Sequence, residues 1–362
     1  KKDLSLNLGG GVRADAQTVT KKTDMCAIVP DDFPGFVPKP AVKDGDEVAC
    51  GQPLLFDKAH PKVKILSPMS GRVKGGDRRK ILRVEVEQSE VTVTAPTFSR
   101  PADAASAKSF LAASGMLAFM RQRPYDIVPN PADTPRDIFI TAIDSAPLAA
   151  TAATYGTGIF TAEDYQLGVD ILRMVTKGKV YLATDETWPF GDIKGAEMLT
   201  VAGPYPAGNV SVQIEAVAPV NKGETVWTLD GSTLARIGHI ASTGKFFSET
   251  VVAVTGPEVM TPGYVQTIIG ASVESILKGN LKETPRHLRV ISGNVFTGIA
   301  VDGEDKYLHF PYRQITVIDE GDDVDEFMGW ASVSPSKMSE SASFPGHFLK
   351  RLFRPDARLN GG

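Results

Sequence analysis

The sequence predicts an α/β protein with additional all-β modules: a carrier-like β module of the biotinyl/lipoyl hammerhead type, a Rossmann-like mixed sheet and a β-grasp domain. Three observations lead to this prediction. Short strand patterns separated by turns that contain Gly and Pro fill about the first hundred residues. Strand and helix patterns then alternate, with crossovers long enough for parallel pairing. After Gly256 the pattern returns to short strands around one short helix.

The carrier-like β domain is predicted over residues 1–100. Asp44-Gly45-Asp46 supplies a turn that tolerates positive φ, and Pro68 and Gly71 bracket the next reversal. Residues 95–101 form a linker with two prolines. The predicted strands are Met25–Val29, Pro53–Phe56, Val63–Leu66 and Ile81–Glu87.

A Rossmann-like α/β domain is predicted over residues 101–255. A helical stripe runs from Asp103 to about Met120, and a capping signal at Thr161–Asp164 precedes a second helix. The alternation in Val210–Val217 favours an antiparallel strand. The other predicted elements are the strands Asp137–Ile143, Val180–Thr184 and Thr250–Val254 and the helices Tyr165–Thr176 and Ser232–Thr243, the last ended by Gly244.

A β-grasp domain is predicted over residues 256–320. Its helix is Ser272–Leu277, and its strands are Tyr264–Ile269, Arg289–Ile291, Gly298–Val301 and Gln314–Ile318. Residues 321–362 are polar and carry no core-forming segment, and the first residue is not Met. We therefore expect a trimmed or partial chain in which 321–362 begins a truncated C-terminal region.

Composition and charge exclude several classes of function. A net charge of −4 gives no electrostatic case for nucleic acid or acidic lipid. No apolar run approaches the roughly 20 residues of a membrane helix. Cys26 and Cys50 form no C-x-x-C pair, and the five histidines lack metal-ligand spacing. We predict no metal site, no catalytic residue and a reduced, cytoplasmic setting, with the histidines at the surface or the edge of the core.

Several motifs, weak one by one, are specific in their order and spacing. They are Val42-Lys-Asp-Gly-Asp-Glu-Val48, Gly51-Gln-Pro-Leu54, Asp57-Lys58, Ser67-Pro-Met-Ser-Gly71, Ser114-Gly115, Arg121-Gln-Arg-Pro124, Thr243-Gly-Lys-Phe-Phe247 and Arg289-Val-Ile-Ser-Gly293. Through them the chain resembles the family of A subunits of the bacterial sodium-translocating NADH:quinone reductase.

The resemblance implies a peripheral subunit, located at the cytoplasmic face of the bacterial inner membrane. Such a protein docks on the membrane subunits of the sodium-pumping complex and shapes the region where quinone is reduced. The implied partners are the other subunits and quinone. The NADH, flavins, iron–sulfur centres and quinone of the complex belong to other subunits or to interfaces, and this chain is expected to carry no redox cofactor.

Two other functions stay open beside this one. The first is a flavin- or NADH-binding electron-transfer subunit, as in relatives whose glycine-rich run approaches the cofactor phosphates. Here that run is Met116–Arg123, which contains no glycine. Gly156-Thr-Gly158 lacks the third glycine of a dinucleotide motif. The second is a lipoyl- or biotin-type carrier, in which Lys58 would bear the group.

Two segments are predicted to face quinone or to dock on a partner. One is the Pro-stiffened loop that carries Phe33 and Phe36, because burying each ring is worth roughly 1.5–3 kcal/mol. The alternative for these rings is that they cap the core of their own β module. The other segment carries Arg121, Arg123 and Tyr125, two cations beside an aromatic ring. We expect both segments on one side of the molecule.

Overall fold

A computed structural model describes residues 6, 8–13, 15–75, 83–151, 158–303 and 305–321. Gly156 and nearly all of the region 321–362 lie outside these residues. The described part is a mixed α/β structure with several sheets, as the sequence predicts. Within it, no helix is both long enough and apolar enough to cross a membrane.

The N-terminal section is all β apart from a 3₁₀ turn at Pro30–Asp32. Two small antiparallel sheets, in the orders β2-β8-β7-β4 and β3-β5-β6, enclose its core. The strands are β1 (Thr18–Thr20), β2 (Met25–Ile28), β3 (Pro38–Pro40), β4 (Glu47–Val48), β5 (Pro53–Asp57), β6 (Lys64–Leu66), β7 (Gly71–Lys74) and β8 (Val84–Gln88). Leu54, Leu55 and Ile65 are fully buried between the sheets, so the apolar positions of the predicted hairpins do form the core.

The second section alternates strands and helices, in the chain order α1 (Ala104–Ala113), β9 (Arg121–Arg123), β10 (Ile138–Thr141), α2 (Ala162–Val175), β11 (Val180–Thr184), β12 (Glu197–Thr200), α3 (Val210–Val217), β13 (Val226–Asp230) and α4 (Gly231–Thr243). The sheet order is β12-β11-β10-β13-β9, parallel except for β9 at one edge. Ile138, Ile140 and Leu182 share a core cluster with α2 and α4. Phe139 and Tyr181 point the other way and cluster with Ile214 of α3.

The third section is a six-stranded sheet in the order β1-β15-β14-β18-β16-β17. Its elements are β14 (Glu249–Thr255), β15 (Gly263–Ile268), α5 (Val273–Leu277), β16 (Leu288–Ser292), β17 (Ile299–Ala300) and β18 (Gln314–Asp319). Strand β1 comes from the start of the chain and pairs in parallel with β15. The first and third sections are therefore joined through shared backbone hydrogen bonds.

The prediction of a strand at Val210–Val217 is wrong, because this segment is helix α3. Its buried residues are Gln213 and Ile214, and Val210 is half-buried, which is the i, i+3, i+4 spacing of a helix face. The alternation of Val and polar residues resembled a strand only because the segment is short. The edge strand next to β11 is β12, and the sequence analysis did not predict this strand.

The helix predicted from Asp103 to Met120 ends early. Helix α1 stops at Ala113, and Gly115 adopts φ +78° before a 3₁₀ turn at Met116–Phe119. A Cβ at Gly115 would lie 3.1 Å from Cγ of Leu66, so this bend also needs glycine for space. All four residues of the 3₁₀ turn are buried, and their apolar character explains why the stripe seemed to continue.

Helices α2 and α4 cross at two glycines. A Cβ at Gly238 would overlap the carbonyl oxygen of Asp164, and one at Gly168 would overlap that of Leu234. Neither glycine has a positive φ, so close approach alone requires them. The capping box at Thr161 and Asp164 and the left-handed Gly244 that ends α4 confirm the predicted capping signals, although α2 begins at Ala162, three residues before the predicted start at Tyr165.

We predict that Gly238→Ala lowers the free energy of unfolding by about 1–3 kcal/mol, because an added methyl group forces the helices apart. Alanine is intrinsically more favourable than glycine inside a helix. A lower free energy of unfolding would therefore come from the packing clash. Urea denaturation measures it. The control is Gly263→Ala, where a Cβ would meet only Thr261 O at 3.9 Å. Equal stability of the two variants would contradict the tight crossing.

Candidate functional site

The structure brings the two predicted segments into direct contact. The backbone N–H of Val128 donates to Pro34 O over 2.7 Å, and Nη2 of Arg121 donates to Asp32 O over 2.6 Å. A Cβ at Gly35 would lie 2.7 Å from Cβ of Ile127. With its φ of +81°, Gly35 is thus required both for the turn and for the contact.

Phe33 and Phe36 are buried, with 2% and 7% of their surfaces exposed. Phe33 stacks on Phe310 of the third section at 5.5 Å between ring centroids, and it meets Phe119 of the second section edge-on at 5.7 Å. The rings therefore join all three sections, which goes beyond the core of their own β module. The other two sections cover these rings, so the structure leaves almost none of their surface exposed for contact with a partner.

Arg121 holds this aromatic cluster in place. Its Nη1 donates to Ala118 O and Met120 O at 3.2 and 3.1 Å, and its guanidinium lies 5.4 Å from the ring centroid of Phe310. Burial lowers the pKa of Arg121, but arginine stays charged at any ordinary pH. The side chain therefore ties the end of the 3₁₀ turn to the Phe33 loop.

The exposed part of the site consists of other residues. Tyr125 is 77% exposed and Val37 is 48% exposed, and Pro34, Gly35 and Pro124 are exposed beside them. We call these five residues the docking face. Sequence reasoning found Tyr125 but chose Phe36 over its neighbour Val37, since nothing in the sequence tells which of two adjacent apolar side chains points outward.

Arg123 lies between the docking face and the interior. Its side chain is 25% exposed, and Nη2 is 3.4 Å from Oδ1 of Asp126. Its Nε is buried and has no hydrogen-bond partner among the described residues. Arg123 is also part of β9, where it pairs with Val226. The backbone of the turn is thus fixed to the edge of the five-stranded sheet.

A buried histidine joins the first and third sections, although the sequence analysis expected the histidines at the surface or the edge of the core. His309 is 3% exposed; Nδ1 lies 2.7 Å from Oδ1 of Asp32 and Nε2 lies 3.0 Å from Oδ2 of Asp305. Asp32 also accepts from the backbone N–H of Phe310 over 3.0 Å. Asp32 and His309 are 277 residues apart, so no local pattern could have found this contact.

Two carboxylates favour the charged imidazolium of His309. Burial alone would lower the pKa of His309, but the hydrogen bonds and charges of Asp32 and Asp305 outweigh burial and raise it. The pKa of Asp32 is raised as well, mainly by burial and against the hydrogen bond from His309. Both groups therefore bind protons more tightly in the folded state than in the unfolded state.

A second ion pair joins the second and third sections. Asp230 ends β13, accepts from Thr233 N over 2.9 Å as the N-cap of α4, and pairs with Arg313. Burial would raise the pKa of Asp230, but Arg313 and the amide of Thr233 lower it. The carboxylate is thus held charged, and it fixes Arg313 at the carboxyl end of the parallel strands.

The residues considered for a carrier or a cofactor-binding function lie in positions that the fold itself explains. The backbone N–H of Lys58, an exposed residue next to the end of β5, donates to Val37 O over 2.8 Å. Met116–Phe119, part of the segment considered as a cofactor loop, are all buried and fill the interior. In the part of the chain that the structure describes, no group of three His, Cys, Asp or Glu side chains could hold a metal ion.

Comparison with protein families matches three domains to this chain. They are the NqrA N-terminal barrel-sandwich hybrid domain over residues 1–89, the NqrA second alpha/beta domain over 102–246, and the NQRA C-terminal domain over 251–303. The first match confirms a barrel-sandwich hybrid module at the N-terminal side of an α/β protein.

Individual relatives carry the same family name along the whole chain. The A subunit of the Na(+)-translocating NADH-quinone reductase from Vibrio anguillarum is 34% identical over 374 residues, covering 100% of this chain and 82% of the relative. Its counterpart from Neisseria meningitidis serogroup B is 32% identical over 373 residues, with the same coverage. A solved NAD+-reducing [NiFe]-hydrogenase aligns with 17% identity and a TM-score of 0.36, covering 52% of this chain and 41% of that one.

Because the imidazolium of His309 is favoured in the folded state, its contribution to stability is complete below the ordinary histidine pKa of about 6.5 and is lost as pH rises through the raised pKa. We predict that His309→Gln costs roughly 1–3 kcal/mol at pH 6 and less at pH 9. Urea denaturation of both proteins at the two pH values measures the difference. An equal cost at both pH values would contradict a charged His309.

We predict that Phe33→Ala lowers the free energy of unfolding by about 3–5 kcal/mol, as for other buried phenylalanines. Val37→Ala, four residues away and half exposed, should stay within about 0.5 kcal/mol of the unmodified protein. Thermal and urea unfolding monitored by circular dichroism compare the two. A Phe33→Ala variant as stable as Val37→Ala would show that the ring does not join the sections.

Proposed function

The chain belongs to the NqrA family, and from that membership we propose its function as the A subunit of a Na+-translocating NADH-quinone reductase. In this proposal it is peripheral and lies at the cytoplasmic face of the bacterial inner membrane. It docks on the membrane subunits and shapes the region in which quinone is reduced, while other subunits hold the redox cofactors. The chain itself contributes no catalytic residue.

The docking face carries the assembly part of this proposal. A largely exposed tyrosine next to an exposed proline is a residue of the kind at which interface energy concentrates. The face is also rigid, because Arg121, the Phe33 cluster and the hydrogen bond from Val128 to Pro34 fix the backbone on both sides. A rigid surface loses little conformational entropy on binding.

A role near quinone is supported by the cationic and aromatic groups beside this face. Arg123 is partly exposed next to Tyr125. A guanidinium can donate to a quinone oxygen, and an aromatic ring can pack on a quinone ring. The backbone of Arg123 and Tyr125 would be held in position by Arg121, Phe33 and Phe36, which would not touch quinone.

The absence of a redox cofactor from this chain is proposed from the interior of the second section. A flavin phosphate would need glycines that let the backbone approach, whereas Met116, Leu117 and Phe119 are all at most 4% exposed there. Their side chains pack into the core cluster. Opening that space would break the packing that supports Phe33.

The proposal also assigns a domain type to each section. The parallel order β12-β11-β10-β13, with α2 and α4 on one face and α3 on the other, supports a Rossmann-like domain over 101–255. The mixed sheet with its short helix α5 supports a β-grasp domain over 256–320. The β module is assigned to residues 1–100.

We predict that Tyr125→Ala weakens assembly about tenfold or more, because a central aromatic residue is lost from the interface. The isolated chain should keep its melting temperature, since this ring is 77% exposed. Co-purification with the tagged membrane subunits, together with quinone reductase turnover, measures assembly. The matched control is Met260→Ala, 54% exposed on the third section. Normal assembly of Tyr125→Ala, or equal losses for both variants, would refute this docking face.

A further inference from the structure

A cleft of about 450 Å³ lies between the second and third sections. One wall is formed by residues that follow β10 and end β13, among them Thr141, Asp144 and Asp230. The other wall comes from the third section and includes Tyr312 and Gln314. Its volume lies in the range of small-molecule sites, and such sites recur between domains.

The topology of the sheet also favours a ligand at this place. Strand β10 pairs in parallel with β11 on one side and with β13 on the other. Helices α2 and α4 cover one face, and α3 covers the other. In open α/β sheets, the point where the connections change sides leaves a crevice at the carboxyl ends of the strands, and ligands bind there.

The N-terminus of α3 is held at the mouth of this crevice. Gly208 N donates to Oγ of Ser145 over 2.8 Å, and Oγ1 of Thr141 donates to Gly208 O over 3.2 Å. Asn209, at the N-cap, makes no side-chain cap hydrogen bond. Its amide donates instead to the hydroxyl of Tyr205 over 3.3 Å. A helix start of this kind favours a bound phosphate.

Unpartnered polar groups on the wall point independently to a ligand. Gln314 is 3% exposed; its Nε2 donates to Pro147 O and to Oγ1 of Thr316, but its Oε1 has no partner among the described residues. Nε of Arg123, which also lines the cleft, is another such atom. Buried polar atoms without a partner are rare in folded proteins and call for an explanation.

The charges on the wall limit what this ligand can be. Arg313 already pairs with Asp230, and Arg123 lies 3.4 Å from Asp126. Asp144 is a further carboxylate. Three aspartates (Asp126, Asp144 and Asp230) and two paired arginines line the cleft, so each added phosphate costs repulsion and a single phosphate at the start of α3 costs least. Carboxylate oxygens accept hydrogen bonds from hydroxyl groups, which suits the sugar of a nucleotide.

We propose that this cleft binds a nucleoside monophosphate. The phosphate lies at the N-terminus of α3, next to Ser211; the ribose hydroxyls donate to Asp144; and the base packs against Tyr205 or Tyr312, which both line the cleft. The site borders the docking face through Arg123 and Asp126, and it needs no redox chemistry.

Isothermal titration of the whole chain with AMP and UMP tests the proposal, with adenosine and inorganic phosphate as partial ligands. We expect 1:1 binding of at least one nucleotide with a Kd below about 1 mM, and clearly weaker binding of each partial ligand. Ser211→Asp places a carboxylate beside the phosphate and should weaken binding about tenfold or more. An acidic residue in the first turn of a helix favours the helix, so this variant should fold.

The matched control is Val212→Asp, which adds the same charge one residue later, at a position 43% exposed and outside the cleft lining. It should weaken binding clearly less than Ser211→Asp does, because its side chain lies outside the cleft lining and its charge is further from the phosphate. No nucleotide binding up to several times the expected Kd would overturn the proposal. Equal effects of the two variants would overturn the location. Inorganic phosphate that binds as tightly as AMP would show an anion site only and overturn the ligand class.

Discussion

The arrangement of the three sections depends on one buried histidine. His309 of the third section lies between Asp32 of the first and Asp305 of its own section, with both ring nitrogens engaged. The carboxylate of Asp32, whose side chain is 6% exposed, could not be buried at low cost without a partner. The contact therefore fixes the start of the Phe33 loop and places Phe310 for stacking on Phe33. Arg121 then bonds to the backbone of Asp32, and the docking face follows from these positions.

Sequence reasoning predicted those elements whose signals are local. Val180–Thr184 is an apolar run with β-branched ends and is found as a strand with the same bounds. The capping box of Thr161 and Asp164 fixes the start of α2. The prediction was wrong where the local signal was ambiguous. The eight residues of Val210–Val217 fit the spacing of a strand as well as that of a helix. Only the packing of Ile214 on Phe139 and Tyr181 selects the helix.

The candidate site was predicted in outline and not in detail. The sequence indicated that the Phe33 loop and the Arg121 turn both matter, and the structure places them side by side. It could not indicate that Phe119 and Phe310 cover the phenylalanine rings, because these residues are far apart along the chain. The same long-range dependence hides the role of His309. Burial is decided by tertiary contacts, so the exposed members of the face, Val37 above all, emerge only in the folded protein.

A direct test of the central claim, that the docking face meets other subunits of the reductase, is site-specific photo-cross-linking in the assembled complex. A benzophenone amino acid replaces Tyr125 in one protein and Val217, 40% exposed at the end of α3, in another. We expect position 125 to cross-link to one of the other subunits and position 217 not to cross-link. Cross-links from 217 alone, with 125 left unreacted, would contradict it and place the interface on the opposite layer of the sheet.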